Sequence, residues 1–548
     1  MNPHQSRVLR QSPVVRRVLT RVYPLLLSLY PIMNMLASNF QEIDVRDSFR
    51  AILVIPLATG VLYFLLAKLS RDTDKGGILT SLFLIFFLSY GHLYAFLKEV
   101  TLWGVLIGRH RYLFPILIIF FLAFAGYVLK RPRIGYSTIK NLTLISTLLL
   151  MIPIGSIFYQ SVSAQTSWKS ESATYQLEAQ SNVLDKNLEL PDIYYIVLDG
   201  YARSDYLKSI LGFDNTDFIH GLQNMGFYIA DKSRTNFNWT ALSLGSSLNM
   251  DFVQSLGLDL VYGNYPAVFV EPIRHSRVRT FLEDLGYSTV AFRTNYLPTE
   301  IIDAEHYFTT EPEEFEELTA RFSFNSFETL LIRSSAGLVL WDLASPELRN
   351  WVGFRVEYPR LVLRETILYQ LDQLEQSSSI PGPKFVFTHI VAPHSPYLFG
   401  PNGEYVDTDG SFTLSETDTL IEGKKDVLYS NQAMYISSRI VRAVDTIISE
   451  SETPPIIVIQ ADHGPCINVM DCSVGDGLRL KFAILNAYLL PEDCRDVLYP
   501  DITPVNSFRI VFNCAFDVDM PLLEDRSYYT NHPRFSAYDF IEVTEDLD

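Results

Sequence analysis

Five apolar stretches crowd the first 160 residues, and they restrict the fold more than any other feature of this 548-residue chain. They lie near 18–38, 49–69, 78–97, 112–129 and 142–159. A helix needs about 20 consecutive apolar residues to cross the hydrocarbon core of a bilayer. One such stretch could as well be a buried core helix. Five in series, with almost no charge inside them, are expected to be transmembrane helices. The first follows a basic arm (Arg7, Arg10, Arg16, Arg17, Arg21) and shows no small-residue cleavage site, which argues against a removed signal peptide.

Charge divides the chain at the same place. Residues 1–160 carry 17 Lys and Arg against 6 Asp and Glu, whereas 161–548 carry 27 against 56. A mean hydropathy of +0.13 beside a net charge of −18 is explained by that division. So acidic a second part lacks the basic face that nucleic acid requires, and no nucleic-acid partner is expected. The arm, the loop with Lys68, Arg71 and Lys75, and the loop Lys130-Arg131-Pro132-Arg133 alternate with the net acidic QEIDVRDS. Positive loops stay in the cytoplasm. Arg109 and Arg111 run against that pattern on the outer side. Five crossings from a cytoplasmic N-terminus place everything after residue 159 outside: a multi-pass protein of the cell membrane with an extracytoplasmic C-terminal domain.

The cysteines follow the same division. Cys466, Cys472, Cys494 and Cys514 all lie in the acidic part. In an extracytoplasmic domain they can form disulfides, Cys466 with Cys472 and Cys494 with Cys514 being the natural pairs; four buried thiols are the alternative.

Residues 161–190, rich in Ser, Gln, Glu and Ala, read as a linker between a membrane domain (1–160) and a second domain (191–548). From Pro191 the texture is that of an α/β fold. DIYYIVLDG, STVAFRT, KFVFTHIVAPH and PPIIVIQADHG are apolar runs of strand length ending in polar or Gly/Pro punctuation. Continuous apolarity marks strands covered on both faces, so a largely parallel sheet sandwiched by helices is expected, with residues 429–449 forming one helix. Ligands collect beyond the carboxyl ends of such strands. Those ends bring Asp199-Gly200, His389 and His394, and Asp462-His463-Gly464.

Carboxylates and imidazoles suit a divalent metal ion, with zinc or manganese preferred over calcium, which the residue types do not exclude. NFNWTALSLGSSLNM (236–250) adds Thr240. Asn238-Trp239-Thr240 is a glycosylation sequon. Alternatively, Thr240 opens a helix whose first N–H groups favour an anion such as phosphate, and a metal at its oxygen would make it a nucleophile near neutral pH. A plain helix cap is the bland alternative for Thr240, as a strand-end histidine is for His389. Arg203, just after the Asp-Gly turn, is a weaker candidate for touching substrate phosphate, as is His389.

Together, Asp199-Gly200 after a strand, Thr240 about 40 residues on, Pro393-His394-Ser395-Pro396-Tyr397 and Asp462-His463-Gly464 resemble the alkaline phosphatase superfamily. More narrowly the order is similar to the sulfatase-like, membrane-anchored phosphotransferases, the lipoteichoic acid synthases and lipid A phosphoethanolamine transferases. The resemblance implies one divalent metal held by Asp199, Thr240, Asp462 and His463. Thr240 would be the nucleophile, passing through a phospho-threonine, and His394 a catalytic or substrate-binding histidine. The implied donor is a phospholipid and the acceptor an envelope lipid or glycan. Thr240-Ala241-Leu242-Ser243-Leu244 lacks the Cys/Ser-x-Pro-x-Arg setting of true sulfatases, which disfavours sulfate esters. Asp199 stands where many of the transferases have Glu. His389, His394 and His532 could serve a second metal, but no matching Asp accompanies them, so one metal is expected. The rival readings are a phosphodiesterase or phosphatase using water, and a non-catalytic binding module on the same fold. Nothing in the sequence sets an oligomeric state.

Overall fold

In the computed structural model, the described residues are 21–38, 45–97, 100–102, 105–106, 108–163, 190–258, 260, 267–309, 325–343, 358–406, 425–467, 471–531 and 538–547. Most of the expected linker, and His532, lie outside them. The chain splits into two compact units: 1–161 with 321–355, and 162–320 with 356–548.

The first unit is helical: α1 (Tyr23–Ser38), α2 (Phe49–Ser70), α3 (Thr73–Leu97), α4 (His110–Lys130) and α5 (Tyr136–Ser163). Four of these spans are long and apolar enough to cross a membrane. The fifth expected span is represented by α1, which has 16 described residues and begins past residues 18–20 of that stretch. Leu53, Leu57 and Phe64 on α2, Ile119 and Phe120 on α4, and Ile152 on α5 stay exposed. A run of exposed large apolar side chains on long helices is what lipid, not water, accommodates. Between α2 and α3 the chain turns at Arg71, in the left-handed region, and Asp74 receives a two-pronged hydrogen bond from Arg21.

One part of this unit is not visible in the pattern of apolar segments. The helices Ser326–Ser334 and Gly337–Leu343 belong to it, although they fall within the stretch expected to form the second domain. Asn325 caps the first with a capping box completed by Glu328, and its side chain donates to the Asp47 carbonyl 2.8 Å away. Glu328 also pairs with Arg50, and the Ala336 N–H donates to the Phe87 carbonyl at 2.6 Å. These partners sit at the start of α2 and toward the end of α3, the same side of the helices.

The second unit is built on a seven-stranded sheet: β1 (Ile193–Leu198), β2 (Tyr228–Ile229), β3 (Ser288–Phe292), β4 (His306–Phe308), β5 (Lys384–Ile390), β6 (Ile456–Gln460) and β7 (Asn486–Leu489), in the order β2-β7-β6-β1-β5-β3-β4. The run from β6 to β4 is parallel, and β7 and β2 add an antiparallel edge. Strand β1 explains why these runs read as continuous. Tyr194, Ile196 and Leu198 enter one core with helices at Tyr358–Gln376 and Lys425–Glu450. Ile193, Tyr195 and Val197 enter the other, with helices at Thr240–Ser247 and Pro504–Phe516. With both faces buried, alternation of side chains leaves no polar position. Disulfides join Cys466 to Cys472 and Cys494 to Cys514.

Candidate metal centre and active site

Register brings the chemistry together. Val197 of β1 lies opposite His389 of β5 on one side and Gln460 of β6 on the other. Two residues beyond Val197 and Gln460 come Asp199 and Asp462, at the carboxyl edge of the sheet. Gly200 makes the turn with φ +72°, a conformation that disfavours a side chain, and its N–H donates to Asp462 Oδ1 at 3.0 Å. Asp462 Oδ1 also accepts the His463 N–H at 2.9 Å, so this oxygen is held while Oδ2 points on. Gly464 is needed for space, because a Cβ there would fall 1.9 Å from the Leu480 carbonyl.

Asp199, His389 and Asp462 are buried, and each offers one ligand atom within 4.8 Å of the others. Asp199 Oδ1, His389 Nε2 and Asp462 Oδ2 are buried atoms with no hydrogen-bond partner among the described residues. Three orphaned acceptor-type atoms on residues grouped this closely are costly unless a cation satisfies them, so the residues fit a metal ion. His463 lies beside this group, outside it. Its Nε2 is 3.5 Å from Asp462 Oδ2, 3.9 Å from Asp199 Oδ1 and 3.2 Å from Thr240 Oγ1. His463 Nδ1 lies 3.0 Å from the Gly464 carbonyl, an acceptor, and 3.3 Å from Lys481 Nζ, a donor; a proton on Nδ1 makes the shorter contact a hydrogen bond and leaves the lone pair on Nε2.

Thr240 is the first residue of the helix Thr240–Ser247. The first N–H groups of a helix have no partner within it and favour negative charge. The Thr235 hydroxyl fixes this helix start to the sheet, donating to the Asp462 carbonyl at 2.6 Å and lying 3.0 Å from Ser243 Oγ. Asn238 is buried; its amide donates to the Thr530 carbonyl and its oxygen accepts the Thr530 N–H, both at 3.0 Å. A side chain so enclosed offers no attachment point for a glycan.

Burial alone would raise the pKa of the Asp199 carboxyl, but positive charge on the surrounding His394, His389 and His463, when protonated, outweighs it and holds the group well below the carboxylate range. His394 follows the Asp199 turn closely: its N–H donates to the Asp199 carbonyl at 3.0 Å, and its ring centroid is 6.0 Å from that of His463. Its Nδ1 donates to the Ser395 carbonyl at 2.7 Å. Arg203 is committed elsewhere, to Asp205 at 2.8 and 2.9 Å and to the Ser233 carbonyl at 3.0 Å.

Two features of the site were not legible as such. His389 reads in sequence as a strand-end histidine but belongs to the orphaned group. Lys481, in the unremarkable run LRLKF, is buried, with Nζ 3.3 Å from His463 Nδ1 and 5.7 Å from the centre of the Trp239 ring. Buried lysines are rare without a purpose, but a single helical Lys carries no signal of depth.

No protein-family model matches the chain, and no curated protein matches it. Solved structures do. The C-terminal periplasmic domain of EcEptC from Escherichia coli is 12% identical, over 64% of this chain and 92% of that one, with a TM-score of 0.38. The integral membrane lipooligosaccharide phosphoethanolamine transferase A from Neisseria meningitidis is 10% identical, over 90% of this chain and 95% of that one, at 0.35. A 2-O GAG sulfatase is 11% identical, over 65% and 84%, at 0.39.

Proposed function

We propose that the chain is a membrane-anchored, metal-dependent phosphotransferase. In this reading it moves a phosphoryl-linked head group, of phosphoglycerol or phosphoethanolamine type, from a phospholipid to an envelope lipid or glycan through a phospho-threonine on Thr240. The observation that carries the reading is a nucleophilic hydroxyl at a helix N-terminus, 3.2 Å from His463, beside three orphaned ligand atoms of Asp199, His389 and Asp462. The order of motifs, which resembles the sulfatase-like phosphotransferases, supports it further.

Asp199, Asp462, His463 and Thr240 are the residues that would hold a single metal, and zinc or manganese suits them. When bound, the metal supplies positive charge that lowers the pKa of the Thr240 hydroxyl and offsets charge on the phosphoryl oxygens. The Thr240 oxygen attacks phosphorus and the lipid alcohol leaves with a proton. An acceptor alcohol then attacks the phospho-threonine and restores the hydroxyl. His463 Nε2 can act as ligand or as acceptor of the Thr240 proton, but one lone pair cannot do both at once. His394, beside the Asp199 turn, is the residue to exchange a proton with leaving and entering oxygens. The helix N-terminus and the Lys481 ammonium favour an anion here.

An extracytoplasmic site is supported by the alternation of basic loops and by two disulfides, which persist in oxidising compartments. A domain tethered to membrane helices meets lipid head groups without a soluble supply, which favours a lipid donor. The test is turnover of head-group-labelled phosphatidylglycerol and phosphatidylethanolamine by the solubilised full chain. Label appearing on an acceptor alcohol supports transfer. Release only as a free head-group phosphate would replace the reading with hydrolysis, and no turnover with any divalent metal would favour a binding module.

A further inference from the structure

We infer that His389 is a direct ligand of the metal through Nε2, and that Thr299 positions its ring for that role. The inference rests on the metal-dependent reading above and adds an imidazole to the set of Asp199, Thr240, Asp462 and His463.

The ring of His389 is wholly buried, with neighbours on several sides. Its backbone is fixed in β5 opposite Val197, its carbonyl accepts from Gln370 Nε2 at 3.1 Å, and Tyr296 lies edge-on with ring centroids 5.9 Å apart. Nδ1 is 3.1 Å from Thr299 Oγ1. The Thr299 hydroxyl, also buried, donates its one hydrogen to the Tyr296 carbonyl at 3.0 Å. With that hydrogen on the Tyr296 carbonyl, and Thr294 Oγ1 at 2.9 Å donating to Thr299, the Thr299 oxygen accepts from His389, which puts the imidazole proton on Nδ1 and the lone pair on Nε2. That lone pair lies 3.4 Å from Asp199 Oδ2 and has no hydrogen-bond partner among the described residues. A lone pair facing a carboxylate oxygen in a dry interior is repulsive unless a cation lies between them. His389 also belongs, with Asp199 and Asp462, to a group whose ligand atoms lie within 4.8 Å of one another, and each of those carboxylates has an orphaned oxygen among the described residues. A ligand imidazole whose other nitrogen donates to a fixed acceptor is the usual arrangement at metal centres. The alternatives are a ring protonated on Nε2, alone or on both nitrogens, that only faces Asp199 Oδ2 at 3.4 Å. The Thr299 acceptor permits the doubly protonated state but does not require it.

The experiment uses the full chain in detergent, stripped of metal and reloaded with zinc. Affinity is read by competition with a chromophoric chelator, and the number of imidazoles on zinc by X-ray absorption. Wild type is expected to show two imidazoles. His389→Gln should leave one and weaken zinc binding by about a hundredfold or more. Thr299→Val should weaken it about 10- to 100-fold, the range for outer-shell partners, and Thr299→Ser should restore it. The Thr299 pair keeps the question answerable if His389→Gln fails to fold. One imidazole in wild type, with Thr299→Val unchanged in affinity, would overturn the role of His389 and leave the metal reading standing. Failure of wild type to bind zinc, manganese or cobalt at all would overturn both.

Discussion

The Oγ1 of Thr240 lies 3.2 Å from Nε2 of His463, although 222 residues of chain separate the helix that begins with one from the strand end that carries the other. Both are buried, and Thr235 ties the two segments together through the Asp462 carbonyl. A hydroxyl held in this way is placed by the sheet and not by its own loop. Thr240→Val keeps the shape of the side chain and removes the oxygen. The variant should fold, melt within a few degrees of wild type, and lose turnover by roughly a thousandfold or more. Thermal melting and phosphodiester turnover on the same preparation check this.

Asp462 has two jobs, and they can be separated. Oδ1 orders the turn by accepting from Gly200 and His463, whereas Oδ2 is orphaned. Asp462→Asn keeps an oxygen for the turn but weakens the site for a cation. Zinc content measured by mass spectrometry should fall well below that of wild type, and chelation of wild type should abolish turnover until zinc or manganese is returned. Full activity of the chelated protein would contradict the metal requirement.

Lys481 brings an ammonium to the His463 side of the site, in contact with the Trp239 ring. Lys481→Met keeps the aliphatic stem and removes the charge. Loss of one charged contact to phosphate is expected to cost about 2 kcal/mol, or roughly thirtyfold in kcat/KM. Kinetics on an anionic phosphodiester would show it. An unchanged kcat/KM would make Lys481 a packing residue only.

Orientation can be read with single introduced cysteines, because both native pairs are closed and should not label. With intact cells and a membrane-impermeant maleimide, Asp205→Cys, on an exposed side chain, should label. Arg131→Cys, in the basic loop after α4, should label only after the membrane is permeabilised. The reverse pattern would invert the topology.

The sheet was legible because its strands are buried on both faces, which writes them as uninterrupted apolar runs. IYYIVL, STVAF, KFVFTHI and IIVIQ are strands β1, β3, β5 and β6. The two-residue β2 and three-residue β4 are too short to show a pattern, and β7 pairs antiparallel as an edge addition. The return of 326–343 to the helical unit depends on contacts such as Glu328 with Arg50, and sequence spacing does not encode those. At the site, Asp199 and Asp462 stood out as candidates because each follows a strand, with a glycine one residue on at Gly200 and two on at Gly464. His389 was ambiguous for the opposite reason: it lies inside β5, and only the register with Val197, two residues before Asp199, brings it near the carboxylates.

The most direct measurement is peptide mass spectrometry of the full chain quenched in acid after mixing with head-group-labelled phospholipid. The account predicts a head-group-phosphate adduct on the peptide containing Thr240, formed within the first turnover and absent from Thr240→Val. Turnover retained by Thr240→Val, or an adduct on another residue, would contradict it.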